Sequence, residues 1–189
     1  MLDSATTARA AWVDDERVIA VDAHDNVLGC LSRAEAHSRR GLLHRAFMVL
    51  LVDDADRIVL ARRSAHKRLW PLFWADSCAG HPEPGEDIVE AASRRITEEL
   101  RCTADALRPV GRIIYQAGFK GLGAEHELCH ILVGRVRDLH NPDPAEVAEV
   151  RAFDAEMLDT LAASAPETFA PWLLEALSVY PPHALVAAC

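Results

Sequence analysis

The segment 45–52 limits the fold more than any other part of the chain. It reads RAFMVLLV, so every residue after Arg45 is apolar. A strand that is apolar at successive positions, and not only at alternate ones, is predicted to be buried on both faces. Such a strand needs helices packed against both sides of its sheet. The segment therefore predicts an α/β architecture.

The clearest helix signal covers residues 86–101, directly after Pro84-Gly85. Its apolar side chains recur at steps of three and four, namely Ile88, Ala91, Ala92, Ile96 and Leu100. Strands are predicted at residues 18–22, 27–31, 57–61, 110–119 and 125–136, and helices at 32–40 (capped by Ser32), 155–163 and 170–179. The order of these elements predicts mixed β-sheets sandwiched between α-helices in a single domain over residues 1–189, with residues 1–17 as a loose N-terminal segment.

Composition excludes several classes of protein. The 189 residues suffice for one compact core, and no run of eighteen apolar residues is present, so no membrane span is expected. With 20 Lys and Arg against 29 Asp and Glu, the net charge of −9 argues against nucleic-acid binding. The five cysteines form no CxxC pair, which fits a reducing cytoplasm.

One motif places the central helix in a known superfamily. Gly80 is followed by Glu86 and then by the segment 94–102, RRITEELRC. This pattern resembles the Nudix signature, whose acidic residues hold Mg²⁺ on a diphosphate in the hydrolytic members. Arg95 stands where that signature has a metal-binding Glu, and Arg101 where it has Gly. The loss of a carboxylate argues against phosphoanhydride hydrolysis.

Further motifs restrict the resemblance to one family within this superfamily. They are His37, His44, His81-Pro82, Arg62-Arg63, Lys67, Trp70-Pro71, Glu125-His126-Glu127 and, near the end, Phe169-Ala170-Pro171-Trp172. Together and in this order they are similar to the type I isopentenyl-diphosphate isomerase family. The resemblance implies a Nudix fold and an enzyme that shifts a proton along a prenyl diphosphate, a small-molecule substrate, through a carbocation. It leaves the oligomeric state and the prenyl chain length open.

The resemblance also implies two metal sites. His37, His44, His81, Glu125 and Glu127 correspond to the ligands of one Mn²⁺, Mg²⁺ or Zn²⁺ ion, and such nitrogen and oxygen donors suit a divalent ion. Glu125 and Glu127 are two apart on a predicted strand, so both should face the same side. Glu99 corresponds to a residue that holds a second ion, Mg²⁺, together with the diphosphate.

The resemblance also implies residues that bind the substrate and residues that take part in the proton transfer. Arg33, Arg63, Lys67 and Arg95 correspond to the cations around the diphosphate. Glu127 corresponds to the acid that protonates the alkene, with Tyr115 as its hydroxyl neighbour. Trp172 corresponds to an indole facing the carbocation, and an indole face is the best aromatic partner for positive charge.

The chain departs from the family at the second proton carrier. That carrier is a cysteine immediately before Gly-His-Pro, and here Ala79 occupies its position. Cys78 is one residue too early and, on an extended segment, points to the opposite face. Asp76 is a second departure, because the family usually has Asn there. Four alternatives stay open: an isomerase, an engineered Cys-to-Ala variant, a catalytically dead prenyl-diphosphate-binding protein, and a protonation-initiated terpene cyclase.

Overall fold

The computed structural model describes residues 16–137, 139 and 141–189. Nine strands and five helices make up this described part. The strands are β1 (Arg17–Val21), β2 (Val27–Ser32), β3 (His44–Val52), β4 (Ile58–Arg63), β5 (Trp74–Ala75), β6 (Cys78–Gly80), β7 (Asp105–Phe119), β8 (Gly123–Arg135) and β9 (Val147–Phe153). The helices are α1 (Arg33–Ala36), α2 (Ile88–Leu100), α3 (Ala155–Ser164), α4 (Pro171–Val179) and α5 (Pro182–Ala187). Most of the predicted loose segment 1–17 lies outside the described residues, and Arg17 already begins β1.

Strand β3 is the centre of a mixed sheet. It pairs antiparallel with β1, β4 and β6, and parallel with β8. Strand β7 pairs antiparallel with β8, and β9 with β4. In the parallel pairing His44 lies directly opposite Glu127. This register joins two predicted metal ligands that are far apart in the sequence.

Helices cover both faces of the sheet. Phe47, Val49 and Leu51 pack with the apolar face of α2, whereas Met48 and Leu50 pack in the core with α3, α4 and α5. Each of these five side chains is at most 1% exposed, and burial of one such side chain contributes roughly 1.5–3 kcal/mol. The prediction of a doubly covered strand, and with it the α/β class, is confirmed.

The boundaries of α2 follow from its caps. The Asp87 carboxylate accepts hydrogen bonds from the amides of Val89 and Glu90, so the helix begins at Ile88 and not at residue 86. At the other end Arg101 adopts a left-handed conformation (φ 53°), which stops the helix at Leu100.

Other elements differ more from the expectation. Ser32 does cap a helix, in a capping box with Glu35, but that helix is the single turn α1 and not a helix over 32–40. Strand β9 and helix α5 were not predicted. In the described ranges, no helix is both long and apolar enough to cross a membrane.

Candidate metal centre and diphosphate cavity

Four predicted metal ligands converge at one end of the central strands. His37 follows α1, His44 begins β3, His81 follows β6 and Glu127 lies on β8. One ligand atom from each of these residues lies within 4.8 Å of all the others. All four side chains are at most 9% exposed, so the cluster is withdrawn from solvent.

Hydrogen bonds to the backbone orient the imidazoles. Nδ1 of His37 lies 2.8 Å from the carbonyl of Arg33, and Nδ1 of His44 lies 2.7 Å from the carbonyl of Leu42. A carbonyl only accepts, so Nδ1 carries the proton and Nε2 turns its lone pair inward. His44 Nε2 lies only 3.1 Å from His81 Nε2. Such convergence of lone pairs, with the far nitrogen held by a carbonyl, is the arrangement of metal-binding histidines.

Glu125 extends this cluster. Its Oε2 lies 2.7 Å from Nε2 of His37. It is buried, yet within the described part of the chain it receives no hydrogen bond. A buried carboxylate oxygen without a donor is costly unless a cation compensates it. The residues present therefore fit a divalent ion bound by three imidazoles and two carboxylates.

Burial and charge set the protonation of the centre. Burial, together with the charges of His44 and His37, lowers the pKa of His81 to about 3, so this imidazole stays neutral and able to bind a metal at physiological pH. Burial raises the pKa of Glu127, but its close contacts with His44 and His81 outweigh burial and hold the pKa well below the usual range.

A cavity with a volume of about 80 Å³ opens beside the cluster. The predicted metal ligand His44 lies behind the wall of this cavity. The other predicted site residues line the cavity: Arg33, His37, Arg63, Lys67, Ala79, His81, Arg95, Glu99, Tyr115, Glu125, Glu127 and Trp172. The sequence thus identified most of the polar lining.

Three cations on one side of this cavity are paired with acids. Arg33 forms an ion pair with Glu16 at 2.7 Å. Lys67 forms one with Glu146, and Arg95 forms one with Glu99. Glu99 therefore lies with these cations and outside the four-residue histidine cluster. Glu16 and Glu146 were not predicted as site residues, because only the folded chain brings them to their partners.

Aromatic side chains also line the cavity. The Tyr115 hydroxyl donates a hydrogen bond of 2.6 Å to Oε2 of Glu127. Burial and the charge of Glu127 raise the Tyr115 pKa well above its usual value, so the phenol remains a neutral donor. The Tyr115 ring lies 6.2 Å from the ring of Trp172, and the guanidinium carbon of Arg63 lies 5.2 Å from that indole.

The two departures from the family pattern both lie at this cavity. Both Ala79 and Cys78 line it, but Cys78 is 2% exposed and packs in the core beneath α2. Burial and the charge of Glu99 raise the Cys78 pKa well above its usual value. Asp76 is 3% exposed, and its Oδ2 accepts a 2.8 Å hydrogen bond from Nε1 of Trp172.

Asp76 makes the stability of the fold depend on pH. Burial raises its pKa from 3.8 to about 7, although Trp172 and Arg63 act in the opposite direction and Glu99 adds to the rise. The folded chain therefore holds this proton between about pH 4 and pH 7, where the unfolded chain has lost it. The associated stability is complete below pH 3.8 and is lost as the pH rises to 7.

Replacement of Asp76 by Asn should remove this dependence. The amide oxygen can still accept the indole hydrogen bond but carries no charge. We expect Asp76→Asn to raise the free energy of unfolding by about 2–4 kcal/mol at pH 8 and to change it little at pH 4. Urea unfolding at the two pH values measures this difference. An equal change in the free energy of unfolding at both pH values would contradict the idea that Asp76 carries a buried charge at pH 8.

Comparison with known proteins agrees with this fold. The NUDIX domain model matches residues 42–173. A crystal structure from Deinococcus radiodurans superposes with a TM-score of 0.68 at 21% identity, covering 87% of this chain and 98% of the other. A MutT NUDIX hydrolase from Burkholderia pseudomallei gives a TM-score of 0.57 at 17% identity over 72% and 96% of the chains. The fold and the site define a Nudix-domain protein.

Curated relatives narrow the family further. An isopentenyl-diphosphate Delta-isomerase from Nocardia farcinica is 45% identical over 161 residues, which cover 84% of this chain and 91% of that protein. The isopentenyl-diphosphate Delta-isomerase from Frankia alni is 37% identical over 95% of this chain and 93% of its own length. The chain belongs to the isopentenyl-diphosphate Delta-isomerase family.

Proposed function

We propose that the protein is a metal-dependent isopentenyl-diphosphate isomerase. One observation carries the proposal: the histidine and Glu127 cluster meets a cavity that is lined by cations paired with acids and by Tyr115 and Trp172. A diphosphate suits the cations and a carbocation suits the aromatic side chains. The names of the relatives support the same activity.

The reaction requires one proton to arrive and another to leave. Glu127 gives a proton to the terminal methylene carbon, C4, and the double-bond electrons form the new C–H bond. The positive charge then lies on the tertiary carbon, C3, which the Trp172 face stabilises. Loss of a proton from C2 returns the C–H electrons as the new C2–C3 double bond. The product is dimethylallyl diphosphate, with the same atoms as the substrate.

We assign the five histidine and glutamate ligands to one Mn²⁺, Mg²⁺ or Zn²⁺ ion. When bound, that ion would polarise the Glu127 carboxyl group and so strengthen it as an acid. We assign Glu99 to a Mg²⁺ ion that accompanies the diphosphate. The diphosphate itself would be bound by Arg33, Arg63, Lys67 and Arg95. Each of three cations already pairs with a carboxylate, so the entering diphosphate must replace those partners.

We place the reaction in the cytoplasm. All five cysteines lie in the described residues and are free thiols, the state that a reducing compartment maintains.

Deuterium incorporation tests the proposed function. Metal-loaded protein is incubated in D₂O with isopentenyl diphosphate and, separately, with longer prenyl diphosphates, and the products are identified by mass spectrometry and NMR. We expect deuterated dimethylallyl diphosphate. A cyclic product from a longer substrate would replace the isomerase with a cyclase. Unchanged substrate, despite a ligand-dependent rise in melting temperature, would leave only a binding protein.

A further inference from the structure

Proton removal from C2 needs an acceptor other than Glu127, and Ala79 cannot supply one. C2 and C4 are different carbons of the substrate, and a side chain already committed to one is poorly placed for the other. Among the titratable groups lining the cavity, Glu16, Glu99 and Glu146 pair with cations, and Glu125 and Glu127 belong to the metal cluster. His37 and His81 also belong to that cluster, and Tyr115 donates to Glu127, so Asp76 and two thiols are left to compare.

The carboxyl group of Asp76 has the suitable position. It belongs to the short connection between β5 and β6, three residues before Ala79, and both residues line the same cavity. Its hydrogen-bond donor is the neutral indole of Trp172, at 2.8 Å, rather than a cation. A carboxylate held in this way keeps its basicity.

Asp76 and Glu127 lie at opposite ends of one line of contacts. Glu127 accepts from the Tyr115 hydroxyl at 2.6 Å, the Tyr115 and Trp172 rings lie 6.2 Å apart, and Trp172 donates to Asp76. The two aromatic rings therefore connect the two carboxyl groups through this series of contacts. All four side chains line the same cavity, so a five-carbon chain bound there would meet both carboxyl groups.

The thiols are less suitable. Cys78 packs beneath α2, in the core cluster on the other side of the sheet from the aromatic residues. Cys129 is two residues from Glu127 on β8, so it shares the strand face of the proposed acid.

We propose that Asp76 is the group that exchanges the C2 proton of the substrate, in the place that Ala79 leaves without a thiol. In the forward direction the C2–H bond breaks, its electron pair forms the C2–C3 double bond, and the proton passes to a carboxylate oxygen of Asp76. In the reverse direction Asp76 returns that proton to C2. Burial that raises the Asp76 pKa to about 7 supports this exchange, because both protonation states are then populated near neutrality. The inference rests on the proposed isomerase function.

The Asp76→Asn variant separates the two proton transfers. In D₂O the parent protein should convert isopentenyl diphosphate and place deuterium at both C2 and C4. Asp76→Asn should lose roughly 10²–10⁴-fold in net conversion, while recovered isopentenyl diphosphate still gains deuterium at C4 through Glu127. The rise in melting temperature on addition of the diphosphate, which measures its binding, should be the same as in the parent protein.

Every other outcome of this experiment would contradict either the proposed function or the role of Asp76. If the parent protein neither converts nor exchanges, the proposed function fails before Asp76 is tested. If Asp76→Asn converts substrate at the parental rate, or loses C4 exchange together with conversion while still binding ligand, Asp76 is not the C2 acceptor. The matched controls Cys78→Ala and Cys129→Ala should stay near the parental rate, and selective loss of C2 exchange in either would assign the role to that thiol.

A thiol at position 79 provides a rescue. Adding Ala79→Cys to Asp76→Asn should restore at least a tenfold gain in conversion over Asp76→Asn alone, roughly 1.4 kcal/mol of barrier. Absence of rescue, with the diphosphate still bound, would contradict the idea that positions 76 and 79 reach the same carbon.

Discussion

Glu127→Gln is expected to lower kcat for isopentenyl diphosphate by roughly 10²–10⁴-fold. The amide has nearly the same shape and can still accept the Tyr115 hydrogen bond, but it has no acidic proton for an alkene carbon. Alkenes are very weak bases, so the transfer needs an acid that is placed at the alkene carbon. The measurement is the initial rate of dimethylallyl diphosphate formation at saturating substrate.

Two further measurements make this result specific. Bound metal is quantified in parallel, because Glu127 also belongs to the candidate metal centre. Tyr115→Phe is the matched control, since it removes only the hydroxyl that donates to Glu127 and should reduce the rate much less. A Glu127→Gln protein that keeps its metal and more than about a tenth of the parental kcat would not be using Glu127 as its acid.

His81→Ala is expected to remove the metal from the histidine cluster. Loss of a residue that merely orients a ligand costs about 10–100-fold in affinity, so loss of a direct donor should cost at least about 100-fold. Because His81 is neutral at physiological pH, the parent protein needs no deprotonation there to bind the ion. Metal content after dialysis should fall from about one equivalent per chain to a small fraction.

His130→Ala serves as the comparison for this variant. His130 lies on the same strand as Glu127, but its ring bonds Asp25 at 2.9 Å, away from the cluster. Its replacement should leave the metal content unchanged. Equal metal content in His81→Ala and His130→Ala would show that the ion is not held by the cluster.

Prediction of the fold from the sequence depended on how strongly each element is buried. The apolar strand 45–52 and the periodic helix α2 carry continuous burial signals, and both were predicted within one or two residues of their observed bounds. Strand β9 has only its two end residues, Val147 and Phe153, buried. The residues between them include half-buried Glu149 and exposed Arg151, so pairing with β4, and no local hydrophobic pattern, makes this segment a strand.

The site residues likewise differ in whether the local sequence gave a signal for them. The predicted ligands and cations belong to motifs that are short in sequence, and they do meet at one cavity. Glu16 and Glu146 gave no local signal, because their partners come from distant parts of the chain. Asp76 was visible as a departure from the family pattern, but its burial depends on Trp172, a residue 96 positions later.

The parallel register of β3 and β8 determines the order in which the molecule can assemble. His44 faces Glu127 only in this register, and a slip of one residue would turn Glu127 towards the other layer. Pairing between strands so distant in the chain forms slowly, because a long loop must close before any contact stabilises it. A chain that is still folding therefore lacks the pairing of His44 with Glu127. Since the candidate metal centre takes ligands from both strands, its full set of ligands exists only in chains whose two central strands have aligned.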